Sequence, residues 1–166
     1  YKKIPEKANE TLNAQSFFMK PPYDLRRKPG AKPLAVLFET PLCAGCDELH
    51  REAFKRKEVL NRLARFDVAR LSASSGETLV APGGQQVKAA DWAASLKLAY
   101  VPTMVFFDDR GREVFRIEAY LRPFHLAGSL EYVASGAYRS EPSFQRFLQN
   151  EAERQRARGE TVDLWK

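Results

Sequence analysis

The apolar positions of this chain follow two periods. Leu34-Ala-Val-Leu-Phe38 is a continuous apolar run that closes on Glu39, which predicts a strand covered on both faces at the centre of a sheet. From Cys43 to Ala64 the apolar residues recur at helical spacing. Cys46, Leu49, Ala53, Leu60, Leu63 and Ala64 share one face, with charges between them, and predict one helix over 43–64. Residues 66–71 read as a second strand and 89–98 as a short helix. Residues 103–108 and 112–120 read as an antiparallel strand pair, with Asp109-Arg110-Gly111 as the tight turn between them. The four residues from Asp108 resemble a cation loop only superficially, because hairpin turn chemistry accounts for them. A helix over 123–135 follows, and Ser140-Glu-Pro-Ser starts a last helix, with its proline in the first turn, that runs to about residue 158.

Two regions carry weaker patterns. Ala8, Leu12, Ala14, Phe17, Phe18 and Met19 are spaced loosely as a helix that Pro21-Pro22 ends. This predicts an N-terminal helical extension, followed by a basic loop over 23–32. Residues 72–88 are rich in Ser and Gly. They read as an inserted loop in which 78–81 and 85–87 pair around Pro82-Gly83-Gly84. The order of elements requires a crossover between the first two strands, which makes them parallel, while the later hairpin is antiparallel. The expected fold class is therefore α/β, a mixed central sheet flanked by helices.

With 166 residues, 44% of them hydrophobic, the chain suits one domain with extensions. The expected division is a basic extension over 1–32, a domain over 33–149 with its insertion at 72–88, and a charged helix end and tail over 150–166. The net charge is +6. Residues 1–33 hold eight Lys/Arg against three acids, a local excess of +5, and the remainder is nearly balanced. A solvated basic arm is the simplest reading. No aromatic residues alternate with basic ones along a strand, so nucleic acid is not an expected partner. No apolar run approaches the length of a membrane span. The sequence begins at Tyr1 without a secretory signal pattern, which suggests an exported protein whose leader has been removed.

The chemistry concentrates at Cys43-Ala-Gly-Cys46, which holds both cysteines of the chain. Cys43 stands at the helix start, where unpaired N–H groups and the positive end of the dipole favour a thiolate. Cys46 follows one turn later, within disulfide reach. A purely stabilising disulfide would gain little from so small a loop. Half of a zinc or copper site would need further ligands, with His50 as a candidate, and no second Cys pair exists. The preferred reading is thiol–disulfide exchange with Cys43 as nucleophile and Cys46 as resolving thiol, needing no dissociable cofactor and no metal. His50 itself reads as a surface helix position, His125 as a surface residue and Trp92 as a packing residue of the second helix. Trp165 stands near the chain end.

The Cys-x-x-Cys after the first main strand, together with Tyr100-Val-Pro102-Thr-Met-Val-Phe-Phe, resembles the thioredoxin superfamily over roughly residues 33–136. Phe107-Asp-Asp-Arg-Gly-Arg-Glu-Val-Phe-Arg-Ile, Ala119-Tyr-Leu-Arg-Pro, Leu130-Glu-Tyr-Val, Tyr138 and Ser143-Phe-Gln-Arg-Phe-Leu148 are similar to exported thioredoxin-like proteins of the sulfur-oxidation (SoxW) type. The resemblance implies a thioredoxin-like fold and a protein-disulfide reductase. It implies a periplasmic location, a membrane thiol–disulfide transporter as electron donor, disulfide-containing exported proteins as partners, and a monomer. It also implies a cis bond at Val101–Pro102, with the Val101 backbone free to pair with a substrate strand and the proline keeping metal off the thiols, although an X–Pro pair by itself favours trans. Leu42 replaces the Trp expected before the first Cys. Leu37 stands where thioredoxin keeps a buried acid, and Glu39 is its possible substitute as proton acceptor for Cys46; an ordinary solvated carboxylate at a strand end is the competing reading. Ala44 and Gly45 add no charge to stabilise a thiolate. The couple should therefore lie nearer thioredoxin (about −270 mV) than a strong oxidant (about −120 mV). A cytosolic thioredoxin and a metal carrier remain as alternatives. Tyr120-Leu-Arg-Pro reads as core packing or as part of a substrate groove.

Overall fold

The computed structural model describes residues 11–119 and 121–162. Four strands form the main sheet: β1 (Leu34–Glu39), β2 (Asp67–Ser72), β5 (Thr103–Phe107) and β6 (Glu113–Glu118). Their order is β2-β1-β5-β6, with β1 parallel to β2 and antiparallel to β5, and β5 antiparallel to β6. Every residue of β1 is buried, as its unbroken apolar run requires of a strand covered on both sides. Alternate residues serve two cores. Ala35 and Leu37 face one layer with Leu49, Phe54, Val59 and Leu126, while Leu34, Val36 and Phe38 face the other with Tyr23, Leu25, Leu79 and Trp92. Trp92 packs tilted against Phe38 and stacks on Phe107, with ring centroids 5.4 and 5.8 Å away.

Helices α1 (Ala44–Arg51), α2 (Lys57–Leu63) and α4 (Pro123–Ala134) cover the first face, and α3 (Ala89–Ser95) covers the second. The inserted segment folds as the expected hairpin, β3 (Thr78–Val80) paired with β4 (Gln86–Lys88). A final helix, α5 (Phe144–Ala157), lies on α4. There Phe144 and Phe147 pack on Tyr132, and Leu148 closes on Gly128, where an added Cβ would stand 2.5 Å from Leu148 Cδ2. Ser143 caps α5 by accepting from the Arg146 N–H at 3.2 Å, so Pro142 precedes the cap instead of sitting in the first turn.

Two larger sequence expectations also give way. The helix expected over 43–64 is two helices separated by a 3-10 turn at Ala53–Lys55. Buried Phe54 wedges against Phe17 and His50, with ring centroids 5.1 and 4.9 Å away, and the chain restarts in an extended conformation at Arg56. That break shifts the helical phase by one residue. Val59 turns inward to 0% exposure, and Leu60, assigned to the inner face by a continuous helix, is exposed. The second expectation is the N-terminal helix. Of its span, residues 1–10 lie outside the described part, and 11–20 are not helical. Instead the segment runs along the sheet edge: Phe18 bridges Val68, and the Met19 N–H donates to the Val68 carbonyl at 2.7 Å. Further on, the Leu25 N–H donates to Val80 O at 2.9 Å. Phe17 and Phe18 anchor the segment on the first core.

The Asp108 turn explains the cation-like motif. Its Oδ1 accepts from the N–H groups of Arg110 and Arg112 at 2.9 and 3.0 Å, and its Oδ2 accepts from Arg112 Nε at 3.2 Å. Burial pushes the carboxyl pKa up, but these hydrogen bonds outweigh burial and hold it below the usual carboxylate range. Gly111 (φ +78°) closes the same turn, and an added Cβ there would stand 2.8 Å from the Pro82 carbonyl oxygen. Because the folded pKa is depressed, the stabilisation is present above the unfolded pKa and is lost as pH falls through the folded one. We expect Asp108→Ala to cost about 1–3 kcal/mol at neutral pH. Urea unfolding of both proteins should show that difference shrinking as pH falls below the usual carboxylate range.

Candidate active site

The end of β1 and the start of α1 form the site. The chain leaves Glu39, turns at Pro41-Leu42 and enters α1 through Cys43; Leu42 has a left-handed backbone (φ +58°) and 67% exposure. A non-glycine residue held there stores strain of roughly 1–2 kcal/mol. Cys43 is the N-cap of α1, and its Sγ accepts from the Cys46 N–H at 3.0 Å. The helix thus presents its N-terminal donors to this sulfur. Cys43 and Cys46 are joined as a disulfide, with Cα atoms 5.2 Å apart. Cys43 is half-buried, while Cys46 is 2% exposed.

The loop before β5 lies across from them. Its Val101–Pro102 peptide is cis, and the Val101 carbonyl oxygen is 4.0 Å from Cys43 Sγ. An added Cβ on Gly45 would touch Pro102 Cδ at 3.4 Å, so the Ala44-Gly45 link packs directly on the proline. Tyr100, just upstream, is 60% exposed, and with Leu42 it gives the site an apolar rim. A groove of about 370 Å³ opens beside the disulfide between Gly45, Glu48 and Pro102 on one side and Ala119, Leu121 and Arg122 on the other. Ala119 has φ +66°, so it is a second left-handed non-glycine residue at the site. Leu121 serves both the core and this groove, and Tyr120 lies outside the described residues.

Beneath the cysteines is a polar cluster that the sequence reading did not assemble. Glu39 is 1% exposed, not a solvated strand end. Its two oxygens lie 3.1 and 2.9 Å from His50 Nε2, and Arg70 Nη1 lies 3.9 Å from Oε1. His50, expected at the surface, is 5% exposed. Gln15 Nε2 contacts its other ring nitrogen, Nδ1, at 3.0 Å, and Phe18 and Phe54 meet the ring edge-on. Both imidazole nitrogens are engaged, which leaves the ring no free lone pair for a metal shared with the cysteines. Arg70 also lies over the Phe18 ring and donates to the Asn13 carbonyl, while Asn13 Nδ2 donates to Asp47 at 2.7 Å. The signal for His50 was its spacing. It stands four residues after Cys46, on the helix face that burial selects. His125 is half-buried; burial, then the charge of Arg122, pushes its pKa below the usual imidazole value.

A thioredoxin-like domain model matches residues 26–134, more than half the chain. The chain belongs to the thioredoxin-like domain family. With its Cys-x-x-Cys pair at disulfide distance it is a thioredoxin-like oxidoreductase. A thioredoxin-fold protein from Helicobacter pylori superposes with a TM-score of 0.66 at 14% identity, over 78% of this chain and 89% of that one. The solution structure of a thioredoxin from Thermus thermophilus does so with a TM-score of 0.52 at 23% identity, over 66% and 80%. At these identities both likenesses speak for the fold. No match was found among curated proteins.

The unequal exposure of the two sulfurs gives a direct test. After reduction, limiting iodoacetamide should alkylate Cys43 at least about tenfold faster than Cys46, read by peptide mass spectrometry.

Proposed function

We propose that this protein is a periplasmic protein-disulfide reductase that works through a Cys43/Cys46 dithiol–disulfide cycle. The observation that carries this reading is the position of Cys43 Sγ. It caps α1, receives the Cys46 N–H and faces the backbone before Pro102. A thiolate there is stabilised by the helix start and open to attack a partner.

In the forward direction the Cys43 thiolate attacks a partner disulfide. One partner sulfur leaves as a thiolate, and a mixed disulfide forms. Cys46 then attacks Cys43 Sγ, the mixed disulfide breaks, and the second partner thiolate leaves. Two electrons pass from the dithiol to the partner, and an external dithiol restores the cycle. The segment before Pro102 offers its main chain to an extended partner strand, with Leu42 and Tyr100 as apolar contacts on either side. The uncharged Ala44-Gly45 link supports the reducing direction. The likeness of the segments around Phe107, Leu130 and Ser143 to exported proteins of the sulfur-oxidation type supports the periplasmic location. It also supports a membrane thiol–disulfide transporter as donor and exported disulfide proteins as acceptors.

With dithiothreitol as donor, the wild-type protein should reduce insulin disulfides, and Cys43→Ser should abolish this. Cys46→Ser should accumulate mixed disulfides with exported partners. Leu42→Ser together with Tyr100→Ser should slow insulin reduction several-fold while leaving reaction with a small disulfide unchanged. Tight stoichiometric binding of copper or zinc without insulin reduction would replace the reading with a metal carrier. An equilibrium potential above about −180 mV would reverse the direction.

A further inference from the structure

Gly45, Glu48 and Glu52 follow one another at helical spacing along α1 and line the groove beside the disulfide. Arg122 lines it from the start of α4, and Leu49, Pro102 and Leu121 give it apolar surface. The groove does not end at Glu52. Arg56 and Pro123 border both it and a second cleft of about 480 Å³ between α2, α4 and α5. That cleft depends on α5. Gly128 has no Cβ, so Leu148 settles against α4 and the second half of α5 runs on beside it. Gln155 then lines the cleft from α5, and Phe124 and Ala127 line it from α4. The domain match covers residues 26–134, so α5 and the cleft it forms lie beyond what the family likeness supplies.

We propose that groove and cleft form one continuous track for a partner polypeptide. The track takes the extended segment next to the partner's reactive cysteine and selects a basic side chain close to that cysteine. This rests on the dithiol–disulfide reading above. From Gly45 to Glu52 the helix rises about 10 Å, which an extended chain crosses in about three residues. A partner sulfur bonded to Cys43 therefore places its near neighbours in the sequence against Glu48 and Glu52. Two carboxylates one turn apart favour a Lys or Arg there, while Arg122 and Arg56 repel a second cation from the other wall and the far end.

The charge selection belongs to the α1 wall. Glu52 reaches Arg51 only at 4.0 Å, and both side chains are exposed, so a partner's cation readily takes the place of Arg51. In the cleft the acids are already committed: Glu131 to Arg62 and Arg65, Glu151 to Arg154, and Glu160 to Arg158. The cleft contributes contact length over Phe124 and Ala127. A track that reaches from the start of α1 to the last turns of α5 suits a chain, whereas a small disulfide occupies only its first part.

The test uses peptides whose single cysteine is held as a mixed disulfide with thionitrobenzoate. In the reduced protein the Cys43 thiolate attacks the peptide sulfur, thionitrobenzoate leaves with the electron pair of the broken bond, and its absorbance reports the rate. At low salt, a peptide with Lys about two or three positions from the cysteine should react roughly two- to fivefold faster than its Glu counterpart, and the ratio should shrink at high salt. Glu48→Lys together with Glu52→Lys should invert the ratio, which a loss of packing would not do. Lengthening a neutral peptide from about four to about nine residues, on one side of the cysteine, should lower the half-saturating concentration several-fold. Phe124→Ser should cancel that gain. Gln155→Trp, which narrows the cleft from the α5 side and leaves the core intact, should cancel it as well. Equal rates for the Lys and Glu peptides, a ratio that the charge reversal leaves unmoved, or no gain from length on either side of the cysteine overturns the proposal while leaving the dithiol reading in place. A wild-type protein that fails to react even with the short neutral peptide overturns the dithiol reading, and this proposal with it.

Discussion

A carboxylate taken out of water must be paired, because its desolvation costs several kcal/mol. Glu39 sits at the end of a strand with no exposed residue, and three separate parts of the chain meet to satisfy it. His50 comes from α1, Arg70 from β2, and Gln15 holds His50 from the segment before the domain. The pairing sets the rotation of α1 about its axis. With His50 directed at Glu39, Cys46 is turned inward, and Cys43 is left at the helix start facing Pro102. The electrostatic need of one buried group and the orientation of the two sulfurs are the same constraint.

The same constraint gives the N-terminal segment its place. Phe17 and Phe18 enter the core, Phe18 and Met19 pair with β2, and Asn13 and Gln15 reach Asp47 and His50 on α1. A basic arm attached to a domain would have had none of these contacts. The segment's hydrogen bonds link β2, through Val68 and Arg70, to the helix that bears the thiols.

Much of this was legible in the sequence for physical reasons. An apolar run of strand length without alternation has few places to go other than the middle of a sheet, and β1 is there. Gly111 and the acids before it encode a tight turn through backbone chemistry, so the β5–β6 hairpin could be read locally. The helix break was hidden because no proline or glycine stands between Cys46 and Ala64. The shape of the core around Phe54 causes it, and periodicity cannot report on shape. The Phe17-Phe18 pair was misleading for a related reason: adjacent aromatics fit a helix face loosely, and pairing with Val68 is a long-range contact. His50 was the larger loss. A histidine on an otherwise charged helix looks solvated until its partner, eleven residues earlier on another element, is known to be buried.

The sheet's two margins are both guarded. At one end the backbone of β2 is engaged at Val68 by Phe18 and Met19. At the other, β6 carries Glu113, Arg116 and Glu118 linked as ion pairs. Charged side chains on a margin discourage another chain from adding there. Under the function proposed above, a protein that holds extended polypeptides at one loop gains from this arrangement. Its own sheet offers little for copies of itself to extend, so crowding should not draw it into fibrous self-assembly through these strands.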